Sequence, residues 1–207
     1  MKKRMTQPQD MTCGTPWKLI LMFAVPLILG NIFQELYTIV DTMVVGKKLG
    51  VNALAAVGAT GWVFMFNSML IQGFTQGFGI QIAKMVGEND TVKLKRAISN
   101  SIILSALLSI VLLLGMQLII NPAMHILRIP LNIRDISVTY LRVIFVGIPF
   151  SVAYNIFAVI LRSLGNSKTP LNAMVISTSS NIVLDILFVV GFQWGVIGAA
   201  VATIISQ

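Results

Sequence analysis

An all-α, polytopic membrane fold is predicted by three features of this sequence. Of its 207 residues, 56% are hydrophobic and only 11% charged, with a mean hydropathy of +0.87; a soluble domain of this size lacks the interior to hide so much apolar side chain. The apolar residues fall into runs near the ~20 residues that a helical bilayer crossing needs. The Lys and Arg residues collect in the short segments between those runs, where lipid head groups and membrane topology account for a net charge of +8. That placement argues against nucleic acid as a partner. Cys13 is the single cysteine, so no internal disulfide or Cys-based metal cage is expected. No phosphate loop, Ser/His/Asp set or Cys/His cluster is present, so neither an ATP-driven pump nor any enzyme is predicted.

In chain order, a polar, basic tail over 1–16 contains Lys2, Lys3 and Arg4. Thr15-Pro16-Trp17 reads as a helix start, with Thr as cap and Pro at the first helical position. The first span covers 17–46; it is too long for a signal-peptide core and lacks a small-residue cleavage site. Further spans are expected over 53–83, 97–120, 133–162, 170–190 and from 195 onward. Lys2, Lys3, Arg4, Lys18, Lys84, Lys93, Lys95, Arg96, Arg162 and Lys168 fall on one side of such a bundle; Lys47, Lys48, Arg128, Arg134 and Arg142 fall on the other. By the positive-inside rule the first side, with the N-terminus, is cytoplasmic. The last span, from Gly195 to Gln207, would cover only about 20 Å of a ~30 Å hydrocarbon core, so a truncated sixth span that continues in a longer protein is expected.

Glu35, Asp41 and Asp185 interrupt these apolar spans. An ionisable group at a helix centre costs roughly 2.5–3.5 kcal/mol on insertion scales, which makes each a candidate for function. Gln34, Thr38 and Asp41 fall within about 60° of one another at 100° per residue, whereas Glu35 lies about 120° from Asp41. Ser177, Asn181 and Asp185 repeat every four residues on one face of the fifth span. Thr203 adds a hydroxyl in the sixth. Counted from Gly46, Gly191 and Gly195, the depths of Asp41, Asp185 and Thr203 are roughly 8, 9 and 12 Å from the outer helix ends, so the groups can converge. Two carboxylates, an amide and a hydroxyl supply hard oxygen ligands for Na⁺, or a site where two acids share protons.

The stretch Pro26-Leu-Ile-Leu-Gly-Asn-Ile-Phe-Gln34-Glu-Leu-Tyr-Thr-Ile-Val-Asp41-Thr-Met-Val-Val-Gly46 resembles the N-terminal half of a multidrug and toxic compound extrusion (MATE) transporter. So do Ala53-Leu-Ala-Ala-Val-Gly58, Gly165-Asn-Ser-Lys-Thr-Pro170, Asn181-Ile-Val-Leu-Asp185 and Gly195-Val-Ile-Gly-Ala-Ala-Val-Ala-Thr203. The resemblance implies six transmembrane helices forming one lobe of a twelve-helix, two-lobe transporter. It implies secondary active export of cationic, amphipathic drugs across the plasma membrane in exchange for Na⁺ or H⁺, with no other cofactor. It places the cation or proton site at Asp41, Asn181, Asp185 and Thr203, with Gln34 and Tyr140 lining the lobe cavity and Pro26 as a hinge. The implied partners are drug molecules, the lipid bilayer and a missing C-terminal lobe or second copy. Glu35 departs from the uncharged residue expected after that Gln. The alternatives are a lipid-linked oligosaccharide flippase of similar architecture, which would favour a cationic cavity, and an inert truncated half or assembly module.

Other features have structural readings. Gly73 and Gly77 form a small-xxx-small pair suited to close helix packing. Pro149 is expected to kink its span, and Pro122 with His125 to lie on a short interfacial connection. Glu88 to Arg96 reads as a solvated loop.

Overall fold

The computed structural model describes residues 15–88 and 90–207, so the basic tail with Cys13 lies outside it. The described residues form helices and no strand: α1 (Pro16–Gly87), α2 (Thr91–Ile126), α3 (Leu131–Val146), α4 (Ile148–Ser163), α5 (Lys168–Asp185), a π-helical turn (Ile186–Gly191) and α6 (Gly195–Ser206). Helix suits such continuous apolar runs in lipid, because intrahelical bonds satisfy every backbone N–H and C=O within the segment itself.

The 72 residues of α1 would extend about 108 Å as one rod, several times a bilayer core. Gly50 resolves this: at φ 82°, ψ −177° it leaves helical space, a conformation open to glycine and strained for residues with a Cβ. It divides α1 into a first arm (16–49) and a second arm (51–87). Val45 on the first arm clusters with Ala53 on the second. The expected interspan loop of 47–52 is therefore a single-residue break, and Lys47 and Lys48 are helical. The helix begins at Pro16 after an extended Thr15, as the sequence predicts, although the Thr15 side chain makes no capping bond.

α2 is longer than expected, starting at Thr91 because the Asp90 side chain accepts from the N–H groups of Val92 at 3.1 Å and Lys93 at 3.0 Å. Lys93, Lys95 and Arg96 are thus on a helix rather than in a loop, with Lys93 Nζ 3.2 Å from Asp90 Oδ2. At the other end Pro122 and His125 belong to the helix as well. Ser101, Ser105, Ser109, Leu112, Met116, Ile120 and Met124 make its buried seam. Ile103, Leu107, Val111, Leu114 and Leu118 are exposed, an apolar outer face over this stretch suited to acyl chains.

The fourth span is two helices, α3 and α4, bent by 47°. The bend falls at Gly147, two residues before the predicted kink, because Pro149 lacks an N–H and its ring crowds the carbonyl four residues earlier. Phe145, Leu141 and Tyr140 of α3 join Met116, Ile120 and Met124 of α2 and Val63 and Ile71 of the second arm in the main core. A second cluster ties Ile82 to Ile156 and Ile160, and Ser163 Oγ donates to the Gly79 carbonyl at 3.0 Å beside it. Among the described residues Gly73 and Gly77 do not pack as expected: both are exposed, and a Cβ on either would meet nothing within 4 Å.

Candidate functional site

The fifth span departs from regular helix directly after Asp185. The Phe192 N–H reaches the Leu187 carbonyl at 2.8 Å, five residues back, and Phe188, Phe192 and Trp194 stack, with the Phe188 and Trp194 ring centroids 4.9 Å apart. Such π turns are rare and recur at functional sites. α6 then folds back against this turn. Gly198 makes the approach possible: a Cβ there would stand 3.1 Å from the Phe188 carbonyl carbon and 3.2 Å from its oxygen.

This packing joins the four residues singled out by spacing and resemblance. Asp41 from α1, Asn181 and Asp185 from α5 and Thr203 from α6 are all buried, with Asp185 fully so. The carboxyl groups of Asp41 and Asp185 are in side-chain contact. With the Asn181 amide oriented to satisfy both of its ends, Nδ2 donates to Asp185 Oδ2 at 3.0 Å and Oδ1 accepts from the Thr203 backbone N–H at 3.3 Å. The Thr203 hydroxyl also donates to the Ala199 carbonyl at 3.0 Å.

Asp41 Oδ1 and Asp185 Oδ1 are buried without a hydrogen-bond partner. Buried polar atoms are normally paired, so this cluster holds unused acceptor capacity suited to a hard monovalent cation or to protons. Asn67 Oδ1 and Ser105 Oγ are also buried and unpartnered, and spacing gave no warning of either. No group of three or more His, Cys, Asp or Glu suited to a metal ion occurs among the described residues.

An apolar cap lies one turn from the acids. Val45 follows Asp41 by four residues, Val189 follows Asp185 by four and Ala199 precedes Thr203 by four, and these three pack together with Ala53. Residues four apart share a helix face, so this cluster covers the polar group on the side of Gly50 and the π turn.

The residues expected to line the cavity or act as a hinge, and Glu35, lie apart from the cluster, as their separate roles in the sequence reading imply. Gln34 is exposed two turns along the first arm, its carbonyl accepting from Thr38 Oγ1 at 3.0 Å. Tyr140 is buried in the main core. Pro26 is partly buried inside the first arm, and Glu35 is exposed.

The helical fold and its buried acid pair define one lobe of an all-helical membrane transporter. The MatE family model matches residues 26–187, and the chain belongs to that family, the multidrug and toxic compound extrusion transporters. It is similar to the probable multidrug resistance protein YoeA of Bacillus subtilis, 31% identical over 194 residues that cover 92% of this chain and 42% of that protein. The multidrug export protein MepA of Staphylococcus saprophyticus is 28% identical over 191 residues, covering 92% and 42%. A MOP superfamily transporter from Pyrococcus furiosus, whose reversed pocket polarity suggests a different function for it, superposes with a TM-score of 0.87 at 32% identity, covering 93% and 42%. The chain therefore spans less than half the length of these relatives.

Proposed function

We propose that these residues form the N-terminal lobe of a secondary active exporter of cationic, amphipathic drugs, with Asp41, Asn181, Asp185 and Thr203 as its coupling site for Na⁺ or H⁺. The carrying observation is the buried Asp41–Asp185 contact with two unpartnered carboxylate oxygens. Two carboxylates a few Å apart in a low-dielectric interior repel by several kcal/mol when both are ionised, so the pair holds a proton or a cation between them. Loading and unloading it changes the charge between α1, α5 and α6, and with it the packing of the first arm, for which Pro26 supplies a weak point. The lobe's partner is a second, C-terminal lobe or another copy, in a plasma membrane with the N-terminus cytoplasmic.

Na⁺ suits the oxygen-only donor set, whereas a proton needs only the acids. Drug efflux from vesicles carrying the intact transporter, under a Na⁺ gradient at fixed pH and under a pH gradient without Na⁺, separates the two. At least one gradient is expected to drive efflux. Transport driven by ATP with neither gradient effective would refute the proposal.

A further inference from the structure

Glu35 belongs neither to the buried cluster nor to the core. It lies near the middle of the first arm, fifteen residues before Gly50, or about 22 Å along the helix. Counted at 100° per residue, Asn31, Thr38 and Thr42 fall within about 60° of it, while the buried Gly30 and Asp41 lie about 120° or more away. Asn31, Gln34, Glu35, Thr38 and Thr42 are all exposed. They make a polar stripe about three turns long on a membrane-length helix, with a carboxylate in its midst. The outer face of α2 from Ile103 to Leu118 carries nothing comparable, so this stripe is no ordinary lipid contact.

Its chemistry is directional. The Thr38 and Thr42 hydroxyl protons are committed to the carbonyls of Gln34 and Thr38, at 3.0 and 2.7 Å, so both oxygens keep lone pairs that can accept, on the flank that also carries Asn31 and Gln34. Ile32, Ile39 and Met43, all exposed, flank the other side of Glu35. Among the described residues the ion pairs are those of Lys93 with Glu88 and Asp90; Glu35 is in neither. A negative group with acceptors on one flank and apolar side chains on the other complements a molecule with a cationic end and an apolar body.

We infer that Glu35 is a specificity-determining residue that binds the cationic end of the substrate, apart from the buried coupling pair; this rests on the exporter reading above. Charge-assisted contacts are about twice as strong as neutral ones, so losing this one weakens recognition of cations without touching ion coupling.

The test uses the intact transporter in vesicles, with tetraphenylphosphonium as the probe and Glu35→Gln and Glu35→Asp as variants. The Gln variant is expected to raise the apparent KM about tenfold, with kcat and half-saturation by the driving ion unchanged, and the Asp variant to recover most of the affinity. An unchanged KM in Glu35→Gln, or a fall in kcat alone, overturns this assignment while leaving the exporter reading intact. Failure of the wild-type protein to move the probe under either gradient overturns both. Equilibrium dialysis of the purified Gln variant against the probe gives a second readout, in which unchanged binding likewise overturns the assignment.

Discussion

Replacing Gly198 by Ala tests whether close approach of α6 to the π turn positions the acid site. The added Cβ would meet the Phe188 carbonyl carbon at 3.1 Å, its Cβ at 3.2 Å and its carbonyl oxygen at 3.2 Å. Two of those atoms are backbone and cannot rotate aside, so α6 must shift by a few tenths of an ångström. Overpacking of this kind costs about 1–3 kcal/mol, partly offset by the roughly 0.5–1 kcal/mol that Ala gains over Gly within a helix. The shift is also felt five residues on, where the 3.3 Å contact between Thr203 N–H and Asn181 already approaches the limit of a useful hydrogen bond. Gly61→Ala is the matched control, because a Cβ at Gly61 meets nothing within 4 Å. Thermal unfolding of the purified intact protein should show Gly198→Ala less stable by roughly 1–2 kcal/mol and Gly61→Ala unchanged or slightly stabilised. Gradient-driven efflux should require more driving ion in the first variant only. Equal stability of the two variants would refute the packing argument.

Asp41→Asn and Asp185→Asn should each abolish ion-coupled efflux while the protein still reaches the membrane in normal amount; drug resistance at the wild-type level in either would remove that residue from the coupling site. Glu35→Gln should be milder than both, as measured by the minimal inhibitory concentration of a cationic drug in cells expressing the intact transporter. The backbone N–H of Lys93, together with its ammonium group, holds the Asp90 carboxyl below the usual carboxylate range. The capping stabilisation of α2 is therefore complete above the unfolded carboxylate value and is lost as pH falls through the lower folded one. The protection factors of the Val92 and Lys93 amides, taken against the intrinsic exchange rate at each pH, should fall over that acid window and be low at every pH in Asp90→Ala.

The membrane fold and the identity of the buried acids were legible because both are written in composition and in helical periodicity. Apolar runs fix the helices, and four-residue spacing put Asn181 and Asp185 on one face. Helix ends were less legible. A capping Asp90, visible only as one acid among several charges, lengthens α2 by two turns, and Gly50 breaks α1 in a single residue where an interspan loop was expected. The π turn at Ile186–Gly191 leaves no periodic signature, because it arises from the stacking of Phe188 and Trp194 and from the reversal into α6. Gly198 could have been read from the small-residue run Gly198-Ala-Ala-Val-Ala202, since small residues in membrane helices let backbones meet. Gly73 and Gly77 lack such a neighbour among the described residues, so there the same small-residue spacing brings no backbones together.

The apolar cap gives the acid pair a direction. Val45, Val189, Ala199 and Ala53 close one side of the cluster with side chains that offer no hydrogen bond, so an ion approaching from the Gly50 end would have to shed its water against an apolar wall. The first arm beyond Asp41, toward the N-terminus, instead presents Thr38, Gln34 and Asn31, all exposed. A cation or proton can be handed along those oxygens at far lower desolvation cost than across the cap. On the proposed reading the coupling ion therefore reaches the acids along the polar stripe rather than through the cap, whichever side of the membrane the lobe faces. A bulkier cap tests it: Ala53→Leu should slow ion exchange only if the route crosses the cap, whereas Thr38→Val should slow it if the route follows the stripe. Measured proton or ²²Na⁺ exchange in the intact transporter that responds to Ala53→Leu and ignores Thr38→Val would reverse the assigned direction.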